Sequence, residues 1–571
     1  MIPVIERDRV DGVPVLRSRA VAGRHMAALT FRVGRFDEAL PDAGITHMVE
    51  HLTFAGHHEA DYQFNASVAG RFTTFYLETG DPADIATFMA AVCAGLAADH
   101  GAVIDRERLI LRTEAATRGD PGALGTCLVE RYGARGPGLR NYQEFGLERL
   151  RWADVAAWRQ RWFTAGNAAL WIAGDMPDDL RLPLPPGPSM PEEPAVPLPV
   201  TLPGYVSVAA RGGVGLSLVS DRSVAAHAAL DILQRRLTQV LRHEYGISYN
   251  VGVASEDLDR EHVHAYLAAD ALAEQTPMAA HALLSTLEAV AEAGGDAAEL
   301  EGYVRRLREA YEGPGASVTV LRRQAHAILR GQSVPAPQDA LQRASGLTGA
   351  DVAAATKALR SSMIVAVPGL VPAVQGRMGQ LPVWSAATVS GKVHKPADPA
   401  SARALTTSDE GVMLTAGPDQ HVTVRYADAV VLLRWNDGQQ ALIGSDGFTV
   451  QVDPKEWRDG DAVAATIAAR VPAAATVSFD RPGPERARPQ RPADQAGGPA
   501  ATGSGPSATP RGRLTKALQN RYVLLACIAV LVVSGIAMVV TNKASGGYTT
   551  TTAGAVLAVR LLMSSRRSRR R

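Results

Sequence analysis

The segment ITHMVEHLTFAG at positions 45–56 carries side chains well suited to metal chemistry. His47 and His51 are four residues apart, and Glu50 immediately precedes the second histidine. On a helix, residues at this spacing lie one turn apart on the same face, so both imidazoles can reach one Zn²⁺ ion. A glutamate beside that face can take a proton from water at the metal and pass it to a leaving amine, which is amide hydrolysis. The alternative is a polar helix face that binds no metal.

A catalytic zinc site needs a third protein ligand and one open position for water. The downstream segment IDRERLILRTEAATR, positions 104–118, contains Glu107 and Glu114, which are seven residues apart. This spacing is about two helical turns, so both carboxylates are predicted on one face of one helix. A solvated helix face can present the same pair, so both interpretations stay open from spacing alone.

Together these motifs resemble the pitrilysin family of zinc metallopeptidases, which includes insulysin and mitochondrial processing peptidase. That family has the inverted H-x-x-E-H motif and a distant glutamate ligand, with another glutamate seven residues before it. The resemblance implies that His47, His51 and Glu114 bind Zn²⁺ and that Glu50 is the general base. It further implies that Glu107 orients the ligands without binding the metal.

Two other segments agree with this resemblance. FNASVAGRFTTFYLETG at 64–80 resembles the family's Asn-Ala segment and the edge strand that pairs with an extended substrate. LRHEYGISYNVGVA at 241–254 resembles its signature of an arginine and a tyrosine seven residues apart. In the family this pair faces the zinc across a chamber and holds the substrate carbonyl. The residues to which the resemblance gives substrate-binding roles are Asn65, Ala66, Tyr76, Arg242 and Tyr249.

The order of apolar segments predicts an α+β fold with two similar halves. Strand patterns followed by helical patterns occupy the first 180 residues and end in the apolar strand AALWIAGD at 168–175. The same order recurs up to MIVAVPG at 363–369, after a proline-rich stretch that cannot continue a helix. Taken with the resemblance, this order implies two homologous pitrilysin-like α+β domains. Their bounds are 1–185 for the zinc-binding catalytic domain, 186–204 for the linker and 205–385 for the second domain.

The remainder of the chain is predicted to differ from these two domains. Residues 415–480 indicate a small β-rich module that weakly resembles a pleckstrin-homology sheet with one helix. Residues 481–515 have too few large apolar side chains to form a core and are predicted to be a disordered tether. An uncharged apolar run at 522–540 has nearly the length needed to cross a bilayer, and a second transmembrane helix is predicted at 547–564.

Basic clusters flank this C-terminal region at 511–521 and 564–571. The positive-inside tendency places both clusters in the cytoplasm, which requires a transmembrane hairpin; a single span is the alternative. The peptidase domains are accordingly predicted to face the cytoplasm from a C-terminal membrane anchor. Cys93, Cys127 and Cys527 are too few and too widely spaced for a disulfide framework, which favours a reducing compartment.

The sequence thus predicts a membrane-tethered zinc metalloendopeptidase that hydrolyses peptides or unfolded polypeptide segments. A formal net charge of +1 gives no reason to expect a nucleic-acid partner. Because the family encloses its substrate in four related domains and this chain supplies two, a homodimer or a pairing with a related chain is predicted. One alternative is a non-catalytic scaffold or binding subunit with the same fold. Another is a protein whose β-rich module is its main partner-binding element.

Overall fold

The chain begins with two similar α+β parts, hereafter the first half and the second half. The first half is built on a six-stranded sheet. The computed structural model describes residues 2–21, 23–56, 62–118, 122–209, 212–333 and 336–484. The six strands are β1 Glu6–Val10, β2 Val13–Ser18, β3 His25–Phe31, β4 Gln63–Val68, β5 Thr73–Thr79 and β6 Ala168–Ala173. Their spatial order is β1-β2-β6-β3-β5-β4, with β6 parallel to β2 and antiparallel to β3. Among the described strands, β4 is therefore the outermost one on its side.

The second half repeats this arrangement in another six-stranded sheet. Its strands are β7 Gly204–Val208, β8 Val214–Asp221, β9 Val251–Asp257, β10 His262–Ala269, β11 Ile364–Pro368 and β12 Gly379–Gln380. The order is β12-β7-β11-β8-β10-β9, and β11, like β6, is parallel to one neighbour and antiparallel to the other. Five strands correspond in order and direction between the halves. The predicted α+β class is confirmed.

Each sheet has helices of its own half packed on one face. Those of the first half are α1 Ile45–Thr53, α2 Ala83–Ala97, α3 Ile104–Arg118, α4 Gly122–Tyr132 and α5 Trp152–Trp162. Those of the second half are α6 Val224–Thr238, α7 Thr276–Ala293, α8 Ala297–Glu312, α9 Ala316–Leu329, α10 Pro337–Ser345, α11 Gly349–Ser361 and α12 Pro372–Gln375. The first sheet packs against α1, α2 and α5 around the fully buried Phe31, Met48, Phe88 and Leu170. This core holds α1, and with it the histidine motif, against the sheet.

Each half also contributes a helix to the other half. Leu321 of α9 lies against Leu16 and Trp171 on the opposite face of the first sheet. Reciprocally, Cys127 of α4 packs with Val206 and Ile364 of the second sheet. Residues 174–203, all of them described, form no helix or strand between the halves. The two halves therefore bury apolar surface against each other as well as within themselves.

Residues 392–483, hereafter the β module, follow the second half. The strands are β13 Lys392–His394, β14 Ala404–Thr407, β15 Gly411–Gly417, β16 Gln420–Arg425, β17 Ala429–Trp435, β18 Gln440–Gly444, β19 Thr449–Val452 and β20 Thr476–Phe479, with one helix, α13 Gly460–Arg470. They form two four-stranded sheets, ordered β13-β14-β15-β16 and β19-β18-β17-β20. Because β13 and β14 pair with the rest, the strands begin before the predicted start at 415.

Several predictions concern residues outside this description. The predicted spans at 522–540 and 547–564, and the predicted tether from residue 485 onward, lie outside the described residues. Within the part of the chain that is described, no helix combines the length and apolar character needed to cross a bilayer.

Candidate metal centre

The start of α1 is held by a buried carboxylate. Glu38 accepts hydrogen bonds from the backbone N–H of Gly44, at 2.9 Å, and of Thr46, at 3.0 Å. These donors belong to the orphan N–H groups of a helix start, which need acceptors from outside the helix. Burial raises the pKa of Glu38 to about 7, although both hydrogen bonds and the nearby Arg35 favour its charged form. Glu38 therefore fixes the position from which the histidine helix begins.

Gly44, the residue before α1, is required for two independent reasons. Its φ of 98° lies in the left-handed region, which is costly for residues with a Cβ. A Cβ added there would also lie 2.8 Å from Cβ of Glu144, closer than such atoms approach. The backbone of α1 thus passes directly against Glu144.

Three potential ligands converge beyond this helix start. Oε2 of Glu114 lies 3.6 Å from Nε2 of His47 and 3.5 Å from Nε2 of His51. The three donor atoms all lie within 4.8 Å of one another. Ligand atoms about 2.1 Å from a tetrahedral Zn²⁺ are roughly 3.4 Å apart, so the spacing fits one shared ion better than direct hydrogen bonds. Two imidazoles and one carboxylate also form the donor set of many catalytic zinc sites.

The other ring nitrogen of each histidine faces a second carboxylate. Nδ1 of His47 lies 3.1 Å and 3.2 Å from the two oxygens of Glu144, and Nδ1 of His51 lies 3.5 Å from Oε2 of Glu107. Both glutamates are buried. A carboxylate at Nδ1 favours the tautomer that directs Nε2 toward a metal. Glu107 thus lies where the resemblance places an orienting residue, and Glu144 was not predicted.

Glu50 lies next to this cluster, with its side chain mostly buried and Oε2 3.9 Å from Nε2 of His47. Burial disfavours protonation of His51, but the contact with Glu114 and the charges of Glu50, Glu114 and Glu107 together raise its pKa. The raised pKa means that the surrounding carboxylates favour positive charge at this position.

The predicted substrate residues of the first half lie on the sheet edge beside Glu50. Asn65 and Ala66 belong to the outer strand β4, where Asn65 is exposed and Ala66 is buried in the core. Tyr76 on β5 pairs in register with Asn65. Burial raises the pKa of Tyr76, the hydrogen bond with Asn65 lowers it, and the charge of Glu50 raises it further. The structure therefore connects this edge electrostatically to Glu50.

Arg242 and Tyr249 are brought together in the second half, after α6. The Arg242 guanidinium lies 5.3 Å from the centre of the Tyr249 ring, at a cation–π distance. Tyr249 is 77% exposed. Its backbone is nevertheless fixed, because one oxygen of Asp270 accepts from the N–H of Tyr249 and Asn250, both at 2.9 Å, and from the Ser248 hydroxyl at 2.7 Å. An ordered loop thus presents the pair to solvent.

Solved structures with a similar fold include proteases and domains of M16 peptidases. A protease from Helicobacter pylori is 16% identical with a TM-score of 0.54, covering 65% of this chain and 100% of its own. An inactive domain of an M16 peptidase from Pseudomonas fluorescens is 15% identical with a TM-score of 0.52, covering 64% and 99%. Pitrilysin is 16% identical with a TM-score of 0.50, covering 64% of this chain and 45% of its own. No protein-family model and no curated protein matches the sequence. At these identities the likeness establishes the fold.

Proposed function

We propose that this chain is a membrane-tethered zinc metalloendopeptidase that hydrolyses peptides or unfolded polypeptide segments. The observation that carries the proposal is the convergence of His47, His51 and Glu114 at the mutual distances of ligands to one ion, with Glu50 beside them. The similar folds of M16 peptidases support the same reaction class. Membrane attachment rests on the apolar run at 522–540 in the sequence alone.

In the proposed reaction, the residues of the chain divide binding and proton transfer between them. A bound Zn²⁺ would supply Lewis acidity toward water and the scissile carbonyl. Glu50 accepts the proton of the attacking water on its carboxylate and delivers it to the leaving amide nitrogen. The extended substrate pairs with the backbone of β4 next to Asn65, an arrangement that binds polypeptide with little dependence on sequence. Glu107 and Glu144 hold the two imidazoles in the orientation required for binding.

A non-catalytic scaffold is the second candidate, because one of the similar folds is an inactive M16 domain. Such a scaffold has no requirement for a complete ligand set and base. The presence of His47, Glu50, His51 and Glu114 in one cluster therefore favours the peptidase over the scaffold.

Zinc content of the full-length chain tests the proposal. After cell fractionation the protein should sediment with membranes, and after purification in detergent it should carry about one Zn²⁺ per chain, as expected for a single three-ligand site. It should also cleave an unfolded test polypeptide, and a chelator should stop cleavage. A metal-free, inactive preparation that is nevertheless folded would instead support the scaffold.

We further propose that two copies combine to form the complete active chamber. Each chain supplies two six-stranded sheets and both sets of candidate residues. Pitrilysin is more than twice as long as the part that this chain matches. In a symmetric homodimer, the metal cluster of one copy could face Arg242 and Tyr249 of the other. A pairing with a related chain is the alternative. Attachment to one membrane would raise the local concentration of both copies.

Mixing two inactive variants should restore activity if the subunits share their active sites. The variants are Glu50→Gln and a double variant, Arg242→Ala with Tyr249→Phe. In a mixed dimer, one site receives both defects and the other receives none, so random exchange should recover about a quarter of wild-type peptide cleavage. Each variant alone should remain inactive after the same incubation. Absence of recovery despite measured subunit exchange would show that each chain completes its own site or that the arginine–tyrosine assignment is wrong.

A further inference from the structure

We infer that the β module is a positioning element of the candidate metal centre, through contacts that fix Glu144 and the helix carrying Glu114. The inference rests on the proposed zinc site and assigns part of its geometry to residues far downstream. Neither Glu144 nor the β module belongs to the motifs that predicted the site. The connection is made by the segment 136–149, which lies between the β module and α1.

The first connection is apolar. Phe145 follows Glu144 directly, and its ring meets that of Phe479 on β20 edge to face, with centres 6.2 Å apart and planes at 89°. Such pairs are favourable beyond their buried area. Phe145 and Phe479 lie in one apolar cluster. Its buried members besides Phe479 are Leu40, Ala43, Ala134, Leu139, Val431, Leu433, Ala441, Ile443 and Val477. Strands β17, β18 and β20 supply most of the buried side chains in this cluster. Their packing therefore fixes the backbone from which the Glu144 side chain extends to His47.

The second connection is ionic and reaches the helix of the third ligand. The side chain of Glu148 is 9% exposed and lies 3.0 Å from the half-exposed Arg481 guanidinium of the β module. The same carboxylate contacts Arg112 on α3, two residues before Glu114. Arg149, the next residue, donates to the carbonyl oxygen of Ala474 at 2.5 Å. Glu148 thus links α3 and the β module through one carboxylate.

The third connection is a close backbone contact between the β module and the residues that follow α4. Gly133 has a φ of 68°, and a Cβ added to it would lie 2.0 Å from the carbonyl oxygen of Ser445. That same oxygen accepts a hydrogen bond from the backbone N–H of Ala134 at 3.1 Å. Backbone therefore packs on backbone here, so a small displacement of the β module must also displace Gly133 and Ala134, which lead into the segment that carries Glu144.

These contacts predict a graded effect on metal binding. Loss of a carboxylate that orients a ligating histidine typically costs 10–100-fold in metal affinity or activity. The β module acts one step further away, so weakening its interface should cost about 3–10-fold in zinc affinity, below the range for a direct partner. Glu144 is the direct partner of His47. Its position should become more variable as the contact between the β module and segment 136–149 is weakened.

The test uses two interface variants in the full-length chain, each with a matched control within the β module. Arg481→Gln removes the ion pair to Glu148, and Arg470→Gln removes the exposed pair between Arg470 and Asp409. Phe479→Leu alters the apolar contact with Phe145. Ile467→Val changes a buried side chain of the module's own core, so it controls for a small loss of module stability.

Two measurements are made on each folded variant: the zinc dissociation constant by chelator competition, and amide hydrogen exchange of peptides covering 40–53 and 139–150. Both interface variants should raise the dissociation constant about 3–10-fold and accelerate exchange in these peptides, whereas both controls should stay within about twofold of wild type. Arg481→Lys, which keeps the charge, should recover part of the affinity.

The outcomes separate this inference from the proposed function. Unchanged exchange at 139–150 in both interface variants would overturn the inference, whatever the zinc result. Faster exchange with unchanged zinc affinity would also overturn it, because the β module would then support the segment without positioning the site. A wild-type chain that binds no zinc would refute the proposed zinc site, and the assignment of the β module to that site would fall with it.

Discussion

Replacing Glu50 by glutamine is expected to reduce peptide hydrolysis by about 10²–10⁴-fold, the usual contribution of a positioned general base, while zinc remains bound. Glutamine has nearly the same shape as glutamate but cannot accept the proton of the attacking water. The three candidate ligand atoms belong to His47, His51 and Glu114, and this change leaves all three in place. The expected pattern is therefore a fall in kcat without loss of metal, measured by turnover and by zinc content on the same preparation.

Glu6→Gln provides the matched control for this experiment. Glu6 lies on β1, at the opposite side of the sheet order from β4, and its exposed side chain pairs with Arg17. The same chemical change there should leave turnover within about twofold of wild type, as is usual for exposed ion pairs. If Glu50→Gln turned over as fast as this control, another group would have to carry the proton, and the proposed mechanism would be wrong.

Local patterns were sufficient to predict the elements that carry the motifs. The spacing of His47 and His51 predicted a helix, and the structure has α1 at Ile45–Thr53. The spacing of Glu107 and Glu114 likewise predicted the helix seen as α3, Ile104–Arg118. The apolar run at 168–175 contains the fully buried β6, whose side chains face packed elements on both sides of the sheet. In each case the signal is a periodicity that one short segment contains in full.

The carboxylates that position the cluster could not be predicted in this way. Glu144 contacts His47 across 97 residues of sequence, from an irregular segment with no helical or strand periodicity. Glu38 accepts hydrogen bonds from N–H groups at the start of α1, although it does not occupy the usual N-cap position. The sequence around Gly44 therefore contains no capping signature. Such contacts are determined by tertiary packing, which one sequence does not display.

The start of the β module was missed for a different reason. Its first strand, Lys392–His394, has only three residues, too few for an alternating pattern to be recognised. Tertiary contacts make this segment a strand, since it pairs with β14. Nδ1 of His394 lies 2.8 Å from Oδ2 of Asp459, and its Nε2 lies 2.7 Å from Oγ1 of Thr407. Nothing local in the sequence indicates that α4 and α9 each cover the sheet of the other half.

Glu114→Ala is expected to abolish stoichiometric zinc binding, from about one ion per chain to near zero, because a site with three protein ligands loses one of them. The argument depends on distance: Oε2 of Glu114 is the atom that approaches Nε2 of both histidines, at 3.6 Å and 3.5 Å. Alanine leaves two imidazoles, which hold zinc far more weakly. The measurement is metal content after dialysis, together with thermal unfolding with and without a chelator, since bound metal stabilises only the folded state.

Glu107→Gln is the informative comparison, because Glu107 lies two turns earlier on the same helix and approaches Nδ1 of His51 at 3.5 Å. An orienting residue should weaken zinc binding by about 10–100-fold and leave the stoichiometry intact at saturating metal. Glu114→Ala should therefore remove the chelator-sensitive part of the thermal stability, and Glu107→Gln should only shift the zinc concentration at which it is recovered. If Glu114→Ala retained one tightly bound zinc, the third ligand would lie elsewhere. If Glu107→Gln lost the ion altogether, the roles of the two glutamates would have to be exchanged.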